Sequence, residues 1–172
     1  ALVFFLIAIY NKLVRLRNMV AEGWSGIDVQ LKRRSNLIPN LIEAVKGYMG
    51  HESKLLEEVT QLRSQSKGTR AVADKSQVET ALTRSLGNLV AVAESYPDLK
   101  ANQNFLDLQD ELAQIENEIQ MARRYYNGTV RDLNIMIESF PSNLIAGRFG
   151  FAQAEFFEID APQDRDVPKV KF

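Results

Sequence analysis

At 172 residues with 45% hydrophobic content, the chain carries enough apolar material for one domain with a substantial core. A formal net charge of −1 and a pI near 6.0 argue against a polyanionic partner, so no nucleic acid is expected. With no cysteine, thiol catalysis, thiolate metal sites and disulfide staples are excluded, and the redox compartment is unreadable.

Residues 1–9 (ALVFFLIAI) form an unbroken apolar run in which Leu2, Phe4, Phe5, Leu6 and Ile9 cover every face of a helix. Such a run reaches about 13 Å, under half of the roughly 30 Å hydrocarbon core. It is expected to be the carboxyl-terminal part of a truncated transmembrane anchor, which would need about ten more residues upstream. The competing readings are a buried helix start and a cleaved signal remnant. Tyr10 and then Lys12, Arg15 and Arg17 follow as a membrane-proximal set, an interfacial aromatic succeeded by positive charge. That order marks a cytoplasmic flank, so the body is expected on the cytoplasmic side.

Helical periodicity runs through the rest, and no strand alternation persists. Leu13, Leu16, Val20, Trp24, Ile27 and Leu31 step by three and four, so the first helix should continue from the anchor to about Arg34. Ile38, Leu41, Val45, Tyr48, Leu55, Val59 and Leu62 predict a long second helix with a seven-residue repeat. Ser35 or Asn36 would cap it and Pro39 would sit in its first turn, giving a tight hairpin between the first two helices. Residues 64–75 (SQSKGTRAVADK) read as a mobile loop. The third helix, near Ser76 to Tyr96, carries Val78, Leu82, Ser85, Leu89 and Val92 and stops before Pro97. The fourth begins at Asn102 or Asn104 and runs to Phe140, with Phe105, Leu108, Leu112, Ile115, Ile119, Ala122, Tyr126, Val130, Leu133, Ile137 and Phe140 on one stripe.

The expected fold is therefore all-α, an antiparallel four-helix bundle over residues 10–140 with long helices 1, 2 and 4 and a shorter helix 3. The anchor over 1–9 continues into helix 1, and residues 141–172 form a docked aromatic segment followed by a flexible polar tail. Helix 4 should outrun helix 3 by roughly 27 Å at the membrane end. Leu144, Ile145, Phe149 and Phe151, or the loop over 64–75, would fill the groove left open. Gly23, Gly26, Gly47, Gly50, Gly87 and Gly128 each cost about 1 kcal/mol inside a helix, which implies close backbone approach or a hinge near Gly47 and Gly50.

Little chemistry is suggested. A di-metal bundle core uses two Glu-x-x-His pairs, and the chain has one histidine, His51, and no such pair. Serine catalysis would depend on that same imidazole. No catalytic residue, metal or cofactor is expected. Lys32, Arg33 and Arg34 crowd the presumed hairpin tip, and Asp98, Asp107, Asp110, Glu111, Glu116 and Glu118 line the start of helix 4. Mutual neutralisation is one reading. The other is a partner surface built from Lys32, Arg33 and Arg34, with Phe149 and Phe151 as a second candidate contact.

The strings YNKLVRLRN from Tyr10, IDVQLKRRSNLIPNLIEAVKGYMGHE from Ile27, AVAESYPDLKANQNF from Ala91, ARRYYNGTV from Ala122 and FPSNLIAGRFGF from Phe140 resemble the LemA family. The resemblance implies a bacterial protein with one membrane helix, a helical bundle and no established enzymatic activity. It also implies a single-pass protein of the inner membrane. The expected function is a membrane-anchored scaffold or protein-interaction module, self-association along a helix face included. The alternative is a membrane-surface or lipid-remodelling structural protein. Its partners would be the lipid bilayer and an unidentified protein or a second copy.

Overall fold

The protein is described by a computed structural model that covers residues 2–158. Among these the chain is all-α: α1 (Leu2–Lys46), α2 (Ser53–Gly68), α3 (Val72–Ala93), α4 (Pro97–Lys100), α5 (Gln103–Glu138) and α6 (Ser142–Arg148). The polar tail expected over 160–172 lies outside the described residues. The chain divides into two compact units, one of residues 2–32 and Glu116–Phe157, the other of Arg33–Ile115 with Glu158. Both α1 and α5 contribute residues to each.

The predicted hairpin near Ser35 does not exist. α1 runs unbroken through Pro39 to Lys46, so the expected long second helix is split between the end of α1 and the 16-residue α2. A proline deprives only the carbonyl four residues earlier of its donor. That carbonyl belongs to Ser35, and Arg63 Nε donates to it at 2.7 Å. The break falls instead at residues 47–52, where Val45 O accepts from both Tyr48 N and Met49 N. Met49 plugs this turn and is buried, whereas Tyr48, expected in the core, is exposed.

The expected mobile loop over 64–75 is also corrected. α2 persists to Gly68 and α3 begins at Val72, leaving only residues 69–71 between them. Lys75 Nζ donates to Ser66 O at 2.6 Å, placing a cation on a last-turn carbonyl of α2. As the chain advances from Glu52 through Glu58 to Ser66, the partners on and after α3 run back from Tyr96 through Ser85 to Glu79. α3 ends at Ala93, before Pro97, which opens α4 at its first position. Asn102 caps α5 by accepting from Phe105 N at 3.0 Å. Leu41, Val45, Leu82, Leu89, Leu99, Phe105 and Ile115 form much of this unit's core.

In the other unit, Ile9 and Leu13 of α1, Leu133 of α5, Ala146 of α6 and Phe151 share one apolar cluster. Further along, Gly23 of α1 faces α5 so closely that a Cβ there would meet Tyr126 Cα at 3.2 Å. Of the six glycines expected inside helices, Gly47 and Gly50 lie in the turn after α1, and Gly23 alone answers to close approach; at Gly26, Gly47, Gly50, Gly87 and Gly128 an added Cβ meets nothing within 4 Å. The two kinds of site should respond with opposite sign. Gly26→Ala is expected to stabilise by about 0.5–1 kcal/mol, and Gly23→Ala to destabilise by about 1 kcal/mol because overpacking exceeds the propensity gain. Urea midpoints of the two variants check this.

Candidate functional site

The amino-terminal turns of α1 expose Leu2, Val3, Phe4, Phe5, Leu6 and Ile7, with Phe4 79% accessible. The register of α5 accounts for it. α5 continues twelve residues past Tyr126 to Glu138, and twelve residues back from Gly23 is Asn11. Nearer its amino end, α1 has outrun its partner. Among the described residues no helix is long and apolar enough to cross a membrane.

Next to the amino-terminal turns, two aromatic side chains pack on Tyr10 of α1. The Tyr10 ring meets Phe149 edge-on at 4.9 Å and Phe151 at 5.8 Å, and the Arg17 guanidinium lies 5.1 Å from the Phe151 ring centre. Lys12 and Arg15 are exposed beside it. Phe151 is buried in the cluster with Ile9, Leu13, Leu133 and Ala146, and Ile145 packs against it, whereas Leu144 and Phe149 are 63% and 59% accessible. Phe140, expected to finish the helix 4 stripe, is also exposed.

Residues 151–158 follow as a strap whose main chain is read by side chains. Asn134 donates to Ala154 O at 3.0 Å and accepts from Ala154 N at 2.9 Å. Asn127 makes the same two-way bond with Phe157, at 3.0 and 2.9 Å. Seven helical residues and three extended ones each cover about 10 Å, so the two asparagines match the two strap positions. Tyr126 OH donates to Glu155 O at 2.8 Å, and Trp24 packs against both Tyr126 and Phe157. Burial first, and then the Glu155 carboxylate, raise the Tyr126 phenol above its ordinary value of 10.0. These engagements also explain why Asn127, within an Asn-Gly-Thr triplet, is a structural residue. Sequence reasoning expected a docked aromatic segment here and missed how it is held; the seven-residue spacing of Asn127 and Asn134 was the one visible sign of the holders.

In the second unit the presumed basic tip is not a tip. Arg34 is completely buried and pairs with Glu79, its Nη1 also donating to Thr83 Oγ1 at 2.6 Å. Ser66 Oγ donates to the other Glu79 oxygen, and Lys75 Nζ lies 3.7 Å from it. Arg34 therefore holds α1 to α3 and offers nothing to a partner. Arg33 is exposed in this unit, as is His51 in the turn before α2. In the first unit, Lys32 is exposed and bonded to Asp28 at 2.7 Å. Among the described residues no three metal-binding side chains converge.

A family model described as the LemA family matches residues 23–172. The chain belongs to the LemA family. It is 29% identical over 162 residues to Protein LemA of Metamycoplasma hominis, covering 91% of this chain and 72% of that one. It is 23% identical to Magnetosome protein MamQ 2 of Paramagnetospirillum magneticum and 21% identical to Magnetosome protein MamQ of Magnetospirillum gryphiswaldense, covering 87% and 86% of this chain. It spans 64% of the length of each MamQ relative. The LemA family match takes in the Gly23 contact, the Arg34 cluster and the strap and its holders.

Proposed function

We propose that this LemA-family chain is the body of a membrane-anchored helical bundle that acts as a scaffold or protein-interaction module, without catalysis. One observation carries the reading: α1 presents Leu2 to Ile7 to its surroundings on every face, whereas Leu13, Ile27 and Leu31 further along the same helix are buried. Left in water, each large side chain forgoes about 1.5–3 kcal/mol of burial, and a bilayer recovers it. Tyr10, Lys12, Arg15 and Arg17 then stand at the interface, with the body on the cytoplasmic side of a single-pass bacterial inner-membrane protein. The reversed pairing of α2 with α3, and of α1 with α5, supports an antiparallel four-helix bundle.

For the interaction role, Met121 and Tyr125 stand four residues apart on α5 and are both exposed, an apolar face suited to a second copy. The magnetosome setting printed in the relatives' names is theirs, and it fits a membrane-linked structural role here. The test is carbonate extraction of the natural protein from cells, paired with photo-cross-linking from positions 33, 121 and 125. Retention in the membrane pellet and a single stoichiometric protein adduct, the chain itself included, are expected. Recovery in the supernatant would sink the anchor, and the absence of any protein adduct from all three positions would sink the scaffold.

A further inference from the structure

The exposed apolar side chains at the foot of the body are not confined to α1. Phe140 follows α5, Leu144 lies on α6 and Phe149 ends it, and all three are more than half accessible. Their level along α1 is fixed by contacts within one unit. Phe149 meets Tyr10, and the α1–α5 register that sets Gly23 against Tyr126 sets Phe140 opposite Ile9. α6 sits on Ile9 and Leu13 through Ala146. The three side chains thus occupy the level at which α1 leaves this unit; Lys12, Arg15 and Arg17 on α1 and Arg148 beside Phe149 are exposed, with Glu138 and Asp132 as the exposed acids at the end of α5.

We propose that the corner formed by Phe140, α6 and Phe149 is a second membrane contact, which seats the body against an anionic lipid surface. The inference rests on the anchor reading. Continuity argues for lipid as the occupant: the patch adjoins the exposed apolar turns of α1 through Tyr10, so a membrane taken up by those turns meets the corner at once. An apolar tip with exposed cations beside it is the combination an anionic interface retains, the rings entering the acyl boundary and the guanidinium groups remaining among phosphates. With one foot, the body would swivel about α1. With two, its azimuth on the membrane is fixed.

The chain has no cysteine, so single-site labelling reports one position at a time. Nitroxide labels placed by Phe5→Cys, Phe140→Cys, Leu144→Cys, Phe149→Cys and Glu22→Cys would be measured in the chain reconstituted into phosphatidylethanolamine–phosphatidylglycerol vesicles. Relaxation by oxygen and by a water-soluble nickel chelate gives the depth of each. The proposal expects oxygen-dominated relaxation at positions 5, 140, 144 and 149 and chelate-dominated relaxation at 22. Chelate-dominated relaxation at 140, 144 and 149 with position 5 still in lipid overturns the second contact and leaves the anchor standing. Chelate-dominated relaxation at position 5 as well defeats the anchor reading itself. Protection of the corner from both relaxants means that protein covers it, and this too overturns the proposal.

Discussion

The Glu79→Ala variant is expected to lose about 3–5 kcal/mol of unfolding free energy, the usual cost of removing one partner from a buried ion pair. Glu79 is the anion of a buried group that also holds Arg34 and Lys75, and it accepts from Ser66 as well. Without it, two cations face each other on α1 and α3 in a low-dielectric setting, and Ser66 loses its acceptor. Urea denaturation followed by circular dichroism measures the loss, and the melting temperature should fall by about 10 °C. The combined variant Arg34→Met, Lys75→Met, Glu79→Leu should recover most of the stability, because apolar packing replaces such clusters at little cost. A change below about 1 kcal/mol in Glu79→Ala would mean that water reaches the cluster and that α1 and α3 are held by their apolar contacts alone.

Phe157→Ala should cost about 3–5 kcal/mol within its own unit, the range for emptying a buried phenylalanine site. Phe157 is completely buried and packs 5.6 Å from Trp24, and its main chain is clasped by Asn127. Losing the ring leaves the strap tied by hydrogen bonds that compete poorly with water once the cover is gone. Trp24 is the only tryptophan, so its emission reports the site directly and is expected to move to longer wavelength. Gln153→Ala is the control, since Gln153 makes an exposed bond to Glu138 at 2.5 Å and should leave the emission unchanged. Unchanged emission in Phe157→Ala would show that the strap does not cover Trp24.

The helical stripes were legible because burial imposes a spacing of three and four: Leu13, Ile27, Leu31, Leu82, Leu89 and, on α5, Phe105, Leu112, Ile115, Ile119, Tyr126, Val130 and Leu133 are in the cores, while Leu108 and Ala122 of the same series are half-buried. The inequality of α3 and α5 was legible too, at 22 and 36 residues. The path of the chain between stripes was not. Pro39 reads locally as a start, and only Arg63, 28 residues away from Ser35, supplies the donor that lets α1 pass through it. Arg34 reads as one of three surface cations because its partner Glu79 is 45 residues distant. How the docked segment is held was hidden for another reason. Its holders bind backbone, so nothing in the composition of residues 151–158 announces them.

That manner of binding fixes what this stretch can tolerate. Asn127 and Asn134 touch amides and carbonyls, which every residue but proline supplies in full, so side chains between Ala154 and Phe157 can be exchanged without altering the clasp. Spacing is another matter. One residue inserted or removed between those positions shifts the tie by about 3.4 Å relative to the asparagines and breaks one bond pair or the other. Across relatives, residues 155 and 156 should drift freely in their letters while Phe157 stays a large apolar residue and the length between positions 154 and 157 holds rigidly, a signature of a ruler, not a recognition motif.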